Sequence, residues 1–397
     1  MESLPKIDVS KSKKIILLFL FILLFFVWLY FMYSKAYRDI GCDFQYYSVA
    51  SSAFLSGNNP YQTGTTFPFV YPLFFCVLIS PIVILPYWLQ HLVWYIFSFL
   101  SLFAIMFILI RYYYKVISDK EILILIIPFL LLFRVIHNNL SNGQVTIIVL
   151  LLCTLFLYYY LRSHRFTAAL FLSAAISIKL TPLILLIYIL FRRDLLTIGL
   201  VILFSIVLSF LIPYLIAGSK VFEYYSFYFN TFFNENVITK VHFSPTEYAF
   251  GFSLVSVIRY LIPSISKFLG MIITGVLTVT PIVYVQLKND NNIQKQIQIF
   301  SLYMITMLLI SPLGETSHLI YLYPAILITT IAVFQDLRKN YKIGVMILTF
   351  ILTSFIIGRF YISVNLIAII ILYGSVLWLI LHGRWIKTGT LKISSSF

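Results

Sequence analysis

Long apolar runs separated by small basic clusters constrain the fold of this chain more than any other feature of its sequence. Of its 397 residues, 61% are hydrophobic and 10% are charged, and the mean hydropathy is +0.99. This balance excludes a soluble globular domain and predicts an all-α, polytopic integral membrane protein with a single transmembrane domain over residues 1–397. Runs long enough to cross a bilayer, or nearly so, fall at residues 15–33, 90–110, 121–136, 144–161, 194–217, 267–287, 296–312, 317–334, 342–358 and 361–381.

Two interrupted apolar segments decide the predicted topology. Residues 69–86 contain three prolines, and residues 166–191 are broken at Lys179 and Pro182. If 69–86 returns to the face it left and 166–191 forms a pair of short helices, 19 of the 28 Lys and Arg residues lie inside. If 69–86 crosses, only 11 do. Because cytoplasmic loops are enriched in Lys and Arg, we expect the first arrangement, with about twelve transmembrane helices and both termini in the cytoplasm.

This topology predicts two long segments on the outer face. The first loop, 34–89, contains the re-entrant or juxtamembrane segment 69–86, and the second covers 218–266. Residues 221–233 of the second loop, VFEYYSFYFNTFF, suit a helix in the headgroup layer because Tyr and Phe favour that interface. The same arrangement places the polar candidates on one side of the membrane, namely Asp43, Lys179 and the loops 137–144 and 313–318.

Several functional classes find no support in the sequence. The net charge of +15 lies in small clusters between apolar runs, so it indicates topology and no nucleic-acid partner. The chain has no P-loop, no GxGxxG, no HExxH and no DxD-type pair of acids. The three cysteines lack metal-ligand spacing, although a Cys42–Cys76 disulfide on an oxidising face stays open. We therefore expect no cofactor and no metal.

Asp43 is the most informative acid in the chain. It follows the first apolar run and precedes YYSVASSAFLSG, whose apolar residues recur at helical spacing up to the turn at 57–60. From local chemistry alone, the favoured interpretation is a helix N-cap, since Asp is a preferred capping residue. The alternative is a functional carboxylate at the membrane surface.

Other polar residues have a functional and a structural interpretation. Lys179 and Arg134 either pair with an anion at membrane depth or reach towards the headgroups. Asn142 and Gln144 either bind hydroxyls or belong to an ordinary polar turn. His318, with Glu315 three residues earlier, either binds a phosphate and a hydroxyl or shuttles a proton, and the structural alternative is an interfacial side chain.

Four segments in chain order resemble a known family. They are the Asp-Phe-Gln-x-Tyr start at 43–47, which continues to Pro60-Tyr61, then NGQVTIIVLLL at 142–152, SAAISIKLTPLILL at 173–186 and SPLGETSHLIYLYP at 311–324. The chain thereby resembles glycosyltransferase family 87, the polyprenyl-phosphate-mannose-dependent α-1,2-mannosyltransferases of GT-C architecture. The last segment departs from the family pattern, because Glu315 and Ser317 stand where a Trp and paired histidines are usual and only His318 is retained.

The resemblance implies a GT-C-like helical bundle and a membrane glycosyltransferase. The expected reaction moves a hexose, mannose by family analogy, from a polyprenyl-phosphate donor to a glycan or glycolipid hydroxyl on the outer face. The expected mechanism is inverting and metal-independent. The implied setting is a cell envelope, with the enzyme among the lipids of a prokaryotic plasma membrane.

The resemblance also implies roles for individual residues. Asp43 becomes the expected catalytic base, because one carboxylate is enough for a single displacement whose leaving group is already an anion. The expected substrate- or phosphate-binding residues are Lys179, His318, Arg134, Gln144, Asn142, Tyr47 and Tyr61.

Two other classes of protein stay open at this point. A transporter or flippase of lipid-linked sugars would also have a dozen spans and a broken helix with an intramembrane cation. A glycan polymerase or ligase with a diphosphate-linked lipid donor would use several cations in a large outer loop, and 218–266 carries four flanking or internal basic residues.

Overall fold

The computed structural model describes residues 26–31, 33–34, 37, 42–65, 67–113, 126–232, 253–288, 292–311, 316–335 and 362–382. These residues form helices joined by short turns and contain no strand. The all-helical class is thus confirmed for the described part of the chain. The predicted span 342–358, most of the first span, 15–33, and the central part of the 218–266 loop lie outside the described residues.

The α-helices are numbered here in chain order. They are α1 (Asp43–Leu55), α2 (Leu73–Val83), α3 (Tyr87–Tyr113), α4 (Ile126–Leu131), α5 (Phe133–Asn142), α6 (Thr146–Tyr160), α7 (Arg165–Ile178), α8 (Leu185–Phe191), α9 (Leu195–Ile206), α10 (Ile212–Ala217), α11 (Lys220–Phe232), α12 (Leu254–Leu261), α13 (Lys267–Leu287), α14 (Ile293–Ile310), α15 (Tyr323–Gln335) and α16 (Ile362–Leu381). Two 3-10 segments, Thr181–Ile184 and Thr316–Leu322, and a π-helical turn, Val207–Leu211, interrupt this series.

Several helices have the length and hydropathy of membrane spans. Among the described residues, four such helices are present: Tyr87–Ile110, Leu195–Ala217, Lys267–Leu287 and Ile293–Ile310. A fifth is added if α5 and α6, which are bent by 114° at the intervening turn, count as one span. These helices support a polytopic membrane protein, while the arrangement with about twelve spans stays a prediction.

The bundle is organised around α14. Every residue of α14 from Gln294 to Leu309 is buried, and the helix packs against α13, α15, α16 and the 3-10 segment Thr316–Leu322. A helix that is buried on all sides lies in the middle of its bundle. The same 3-10 segment also packs against α5 and α6, and α6 in turn packs against α3 and α7. The 3-10 segment that carries His318 therefore lies between α14 on one side and the α5–α6 pair on the other.

The predicted break in 166–191 is confirmed. Helix α7 ends at Ile178, Lys179 is extended with φ −147° and ψ 129°, and a 3-10 turn followed by α8 continues the chain. Pro182 explains the break, because it has no N–H to donate to the carbonyl four residues earlier and its ring would clash with that turn. Lys179 is thus the residue at which the helix opens.

A second proline shapes the long apolar helix α9–α10. Pro213 cannot donate to the Ser209 carbonyl, and the π-helical turn Val207–Leu211 lies just before it. The Tyr225 hydroxyl of α11 donates to the Ser209 carbonyl at 2.6 Å instead. This contact attaches α11 to the bend.

The cysteines do not form a disulfide. Cys42, Cys76 and Cys153 are all buried, and none of these three thiols takes part in a disulfide. The Cys42–Cys76 disulfide that the sequence left open is therefore not formed, and these thiols pack as small side chains.

Candidate active site

The carboxylate of Asp43 stands at the start of α1. Cys42 occupies the N-cap position and makes no side-chain capping bond, and Asp43 is the first residue of the helix. The N-cap interpretation of Asp43 was therefore wrong. Its half-buried carboxylate accepts a hydrogen bond from Gln144 Nε2 of another segment. A carboxylate in a first helical turn is favoured by the positive end of the helix dipole.

Gly143 allows Gln144 to approach Asp43. Gly143 ends α5 with φ +65°, a left-handed conformation that side chains disfavour, and the Gln144 N–H turns back to donate to the Asn139 carbonyl at 2.9 Å. A Cβ atom on Gly143 would lie 2.6 Å from Phe44 Cβ, which is too close for any other residue. Only glycine lets the α5–α6 turn pack directly against the beginning of α1.

Lys179 and His318 form the second part of the site. Their Nζ and Nε2 atoms are 2.6 Å apart, although 139 residues separate them in sequence. An ammonium group offers only donors, so the imidazole accepts through Nε2 when Lys179 is charged. Lys179 follows the end of α7, where the negative end of the helix dipole favours a cation, and His318 is buried on the 3-10 segment.

Two tyrosines connect this pair to α1. Lys179 Nζ lies 5.8 Å from the centre of the Tyr71 ring, within the range of a cation–π interaction. The Tyr71 hydroxyl is 3.2 Å from the hydroxyl of Tyr47, which lies one helical turn after Asp43. The cation and the carboxylate therefore belong to one connected group of side chains.

Asn139 closes the connection on the other side. Its Nδ2 donates to the Ser317 carbonyl at 2.9 Å, directly before His318. Hydrogen bonds, the Lys179–Tyr71 ring contact, the adjacency of Ser317 to His318 and the single helical turn between Asp43 and Tyr47 connect seven residues, termed here the polar ring: Asp43, Gln144, Asn139, His318, Lys179, Tyr71 and Tyr47. The polar ring draws on five separate parts of the sequence and brings together one carboxylate, one ammonium and one imidazole.

Three other predicted site residues are not among the members of this ring. Arg134 lies in the first turn of α5. Asn142 donates to Asn138 Oδ1 at 3.2 Å. Tyr61 is 4% exposed and donates to the Tyr71 carbonyl at 3.0 Å, so it supports Tyr71 from behind.

The comparison with family models decides the class of protein. The model of glycosyltransferase family 87 matches residues 69–312, more than half of the chain. The chain belongs to glycosyltransferase family 87. Neither a curated protein nor a solved structure gives a significant match. Together with its apolar helices, family membership makes the protein a membrane glycosyltransferase.

The family 87 match covers only part of the polar ring. It includes Asn139, Gln144 and Lys179, whereas Asp43 lies before its first residue and His318 after its last. The structure joins these three segments. The geometry therefore adds the two ends of the site to the part that the family match contains.

Three residues of the candidate site were not predicted as site residues from the sequence. Tyr71 carries a hydroxyl that meets Tyr47, Asn139 holds the His318 segment, and Trp94 donates from Nε1 to the Gly143 carbonyl at 2.8 Å. Asn139 lies in the polar segment 137–144, and Tyr71 precedes a proline in an aromatic stretch. Trp94 stands within an apolar run, where no local pattern separates a functional indole from a packing one.

Helix α11 packs against the turn that ends α1 and against Tyr61, which supports Tyr71 of the candidate site. Lys220 Nζ and the Tyr224 hydroxyl both donate to the Gly57 carbonyl at 2.8 Å, in the turn that ends α1. The Tyr228 and Tyr61 rings also meet, with centroids 5.2 Å apart. Burial raises the pKa of the Tyr61 hydroxyl well above its usual value, so this contact stays neutral at physiological pH.

Proposed function

We propose that this glycosyltransferase moves a hexose, mannose first among the candidates, from a polyprenyl-phosphate donor to a hydroxyl of a glycan or glycolipid. The transfer is inverting and takes place on the outer face of the membrane, which is a prokaryotic plasma membrane in this proposal. The observation that carries the proposal is the polar ring, in which a base and an anion-binding pair are linked through Tyr47 and Tyr71.

Asp43 is the proposed base. Its carboxylate takes the proton of the acceptor hydroxyl while that oxygen bonds to the anomeric carbon from the face opposite the phosphate. The anomeric carbon–oxygen bond to the phosphate breaks, and the electron pair stays on the phosphate oxygen. The half-buried position of Asp43 supports this role, since an acceptor can reach it and one carboxylate suffices for a single displacement.

Lys179 and His318 are the proposed partners of the phosphate. A sugar on a lipid phosphate is a phosphodiester with one negative charge, and the lipid monophosphate that leaves gains a second. A positive charge placed where this second charge develops stabilises the transition state. Lys179 supplies it, and the imidazole beside it donates to the phosphate once it is protonated. With this pair in place, the reaction does not call for a metal or a cofactor.

The remaining predicted residues have supporting roles in this proposal. Tyr47 lies between Asp43 and the Lys179 pair, so its hydroxyl is suited to a sugar hydroxyl. Asn142 and Tyr61 bind substrate hydroxyls at the margin of the site. Arg134, at the beginning of α5, adds a positive charge for the phosphate. The outer-face loop 34–89, with its proline-bearing α2, and the loop 218–266, with α11, form the walls through which donor and acceptor reach the ring.

The helix break at Lys179 also favours a second candidate function. Discontinuous helices with a cation at the break occur in transporters, so movement of a lipid-linked sugar across the membrane is the alternative. A transporter does not need a base, because no acceptor hydroxyl loses a proton during transport. A requirement for Asp43 in sugar transfer therefore distinguishes the glycosyltransferase from the transporter.

A transfer assay tests the proposed function. Wild type, Asp43→Asn and the control Glu223→Gln, which removes an exposed carboxylate on α11, are purified and supplied with radiolabelled polyprenyl-phosphate mannose and a panel of acceptors. Wild type and the control should transfer label, and Asp43→Asn should lose about a hundredfold or more of the rate.

Two results would contradict the proposal. The first is equal transfer by Asp43→Asn and wild type. The second is no transfer by wild type from any sugar-phosphate donor, together with movement of lipid-linked sugar across proteoliposomes. Transfer only from diphosphate-linked donors would instead identify a polymerase or ligase.

A further inference from the structure

The Asp43 carboxylate is held by a side chain whose orientation is fixed. A carboxylate only accepts hydrogen bonds, so the nitrogen of the Gln144 amide must face Asp43 and Oε1 must point away. Gln144 is 5% exposed, and its buried Oε1 receives no hydrogen bond from any residue that the structure describes. A buried amide whose oxygen lacks a hydrogen bond costs folding free energy, so stability alone does not explain a glutamine at this position. Within the described part of the chain, the one hydrogen bond of the Gln144 side chain is the bond to Asp43.

Trp94 supports both partners of this contact. Its indole donates from Nε1 to the carbonyl of Gly143, the residue before Gln144, and stacks on Phe44, the residue after Asp43, with ring centroids 5.2 Å apart. Trp94 itself is 2% exposed. A single rigid side chain from α3 thus fixes the backbone on both sides of the hydrogen bond.

We propose that Gln144, held in place by Trp94, is a positioning residue that fixes the Asp43 carboxylate and stabilises its ionised, proton-accepting form. This inference rests on the proposed function of Asp43 as the base, and it gives Gln144 a role other than binding the phosphate. An N–H donor to the charged form of a carboxylate favours that form and lowers its pKa. Loss of the amide should therefore leave Asp43 protonated up to a higher pH.

Among the described residues, the other titratable side chains near α1 are the same in every comparison below. They are Cys42, Tyr46 and Tyr47 on the Asp43 segment, Tyr71 just before α2 and Cys76 within it, Tyr87, His91 and Tyr95 on α3, Tyr214 on α10, Lys220 and Tyr224 on α11, and Lys179 and His318 in the polar ring. None of them is substituted in the variants, so a difference between variants reports on Gln144 and its support.

The experiment measures the protonation of Asp43 without requiring transfer. Full-length protein in lipid nanodiscs is treated with dicyclohexylcarbodiimide, which reacts with protonated carboxyl groups, across a range of pH. Label at Asp43 is quantified by peptide mass spectrometry. The variants are Gln144→Ala and the nearly isosteric Gln144→Glu, and the control is Gln62→Ala, which removes an exposed amide in the turn after α1.

The labelling midpoint of Asp43 should rise by about one pH unit in Gln144→Ala, and further in Gln144→Glu, where a second carboxylate opposes ionisation. Trp94→Phe keeps the stacking ring, removes the Nε1 donor, and should raise the midpoint less. Trp88→Phe, which changes an exposed tryptophan on the same helix, and Gln62→Ala should leave the midpoint unchanged. In the pH–rate profile of sugar transfer, the acidic limb should move to higher pH by the same amount as the labelling midpoint.

An unchanged midpoint in Gln144→Glu would overturn the inference, whether or not Gln144→Ala folds. A lower thermal stability with no shift of the midpoint would also overturn it, because a merely structural role produces that pattern. A shifted midpoint in a protein that transfers no sugar would support the positioning role and contradict the proposed function of Asp43. The two failures are thus distinguishable.

Discussion

Two polar clusters in this protein are built from similar side chains and differ in charge and exposure. The polar ring contains three ionisable groups, and Asp43 and Lys179 are only half-buried. The second cluster, termed here the glutamine–tyrosine network, consists of Tyr188, Gln286, Gln296 and Tyr303 and is entirely buried and neutral.

The glutamine–tyrosine network satisfies itself with short hydrogen bonds. Tyr188 donates to Gln296 Oε1 at 3.0 Å, Tyr303 donates to Gln286 Oε1 at 3.1 Å, and Gln286 Nε2 donates to the Tyr188 carbonyl at 2.7 Å. These bonds join α8, α13 and α14. Fully paired neutral networks hold helices in register, whereas charges at a partly open position are costly unless they serve a ligand. The difference separates a structural cluster from a functional one.

After substitution of Asp43, the largest loss of transfer rate is expected from substitution of Lys179. Lys179→Met removes the charge beside His318 and should lower the transfer rate by about a hundredfold, the usual loss for one donor to a developing anion. Steady-state transfer of radiolabelled sugar measures it. Lys288→Met is a matched control, because Lys288 is an exposed lysine whose Nζ lies 4.4 Å from the Tyr284 ring. Equal rates for the two variants would remove Lys179 from the reaction.

An intermediate effect is expected from Gly143→Ala. The new Cβ would meet Phe44 Cβ at 2.6 Å in a left-handed backbone conformation, so Gln144 should shift away from Asp43. We expect about a tenfold lower transfer rate and a loss of stability of roughly 1–3 kcal/mol. Gly374→Ala on α16, where a Cβ meets no atom within 4 Å, is the control. Wild-type activity and stability in Gly143→Ala would show that the turn tolerates a side chain.

The smallest effect on catalysis is expected in the glutamine–tyrosine network. Tyr303→Phe leaves Gln286 Oε1 without this donor and should lower the unfolding free energy by about 1 kcal/mol, with transfer activity close to wild type. Thermal unfolding in detergent and the transfer assay measure the two quantities side by side. A loss of activity comparable to that of Lys179→Met would abolish the distinction between the clusters.

The two clusters also differ in how well the sequence predicts them. The sequence distinguishes Asp43, Lys179, Gln144 and His318, because polar residues within or beside apolar runs are unusual, and Pro182 predicts the helix break. Their mutual contacts were not predictable. Asp43 and Gln144 are 101 positions apart, and Lys179 and His318 are 139 apart, so only the packing of the bundle brings them together.

Other features gave no usable signal in the sequence. The capping interpretation of Asp43 was wrong because Cys42 occupies the N-cap position, a shift of one residue that propensities do not resolve. In the sequence, Trp94 is not distinguishable from the other apolar residues of α3. The roles of Tyr188 and Tyr303 depend on glutamines of other helices, and an amide inside an apolar run does not reveal its partner.

In the proposed reaction Asp43 takes the proton of the acceptor, and the Lys179–His318 pair binds the phosphate. The experiment that separates these two roles measures the binding of a polyprenyl phosphate, the proposed leaving group, together with transfer in wild type, Asp43→Asn and Lys179→Met. Asp43→Asn should keep the wild-type dissociation constant while its transfer rate falls by about a hundredfold or more. Lys179→Met should weaken binding as well as transfer. If Asp43→Asn loses binding in proportion to its loss of transfer, or if Lys179→Met binds like wild type, this assignment of the two roles is wrong.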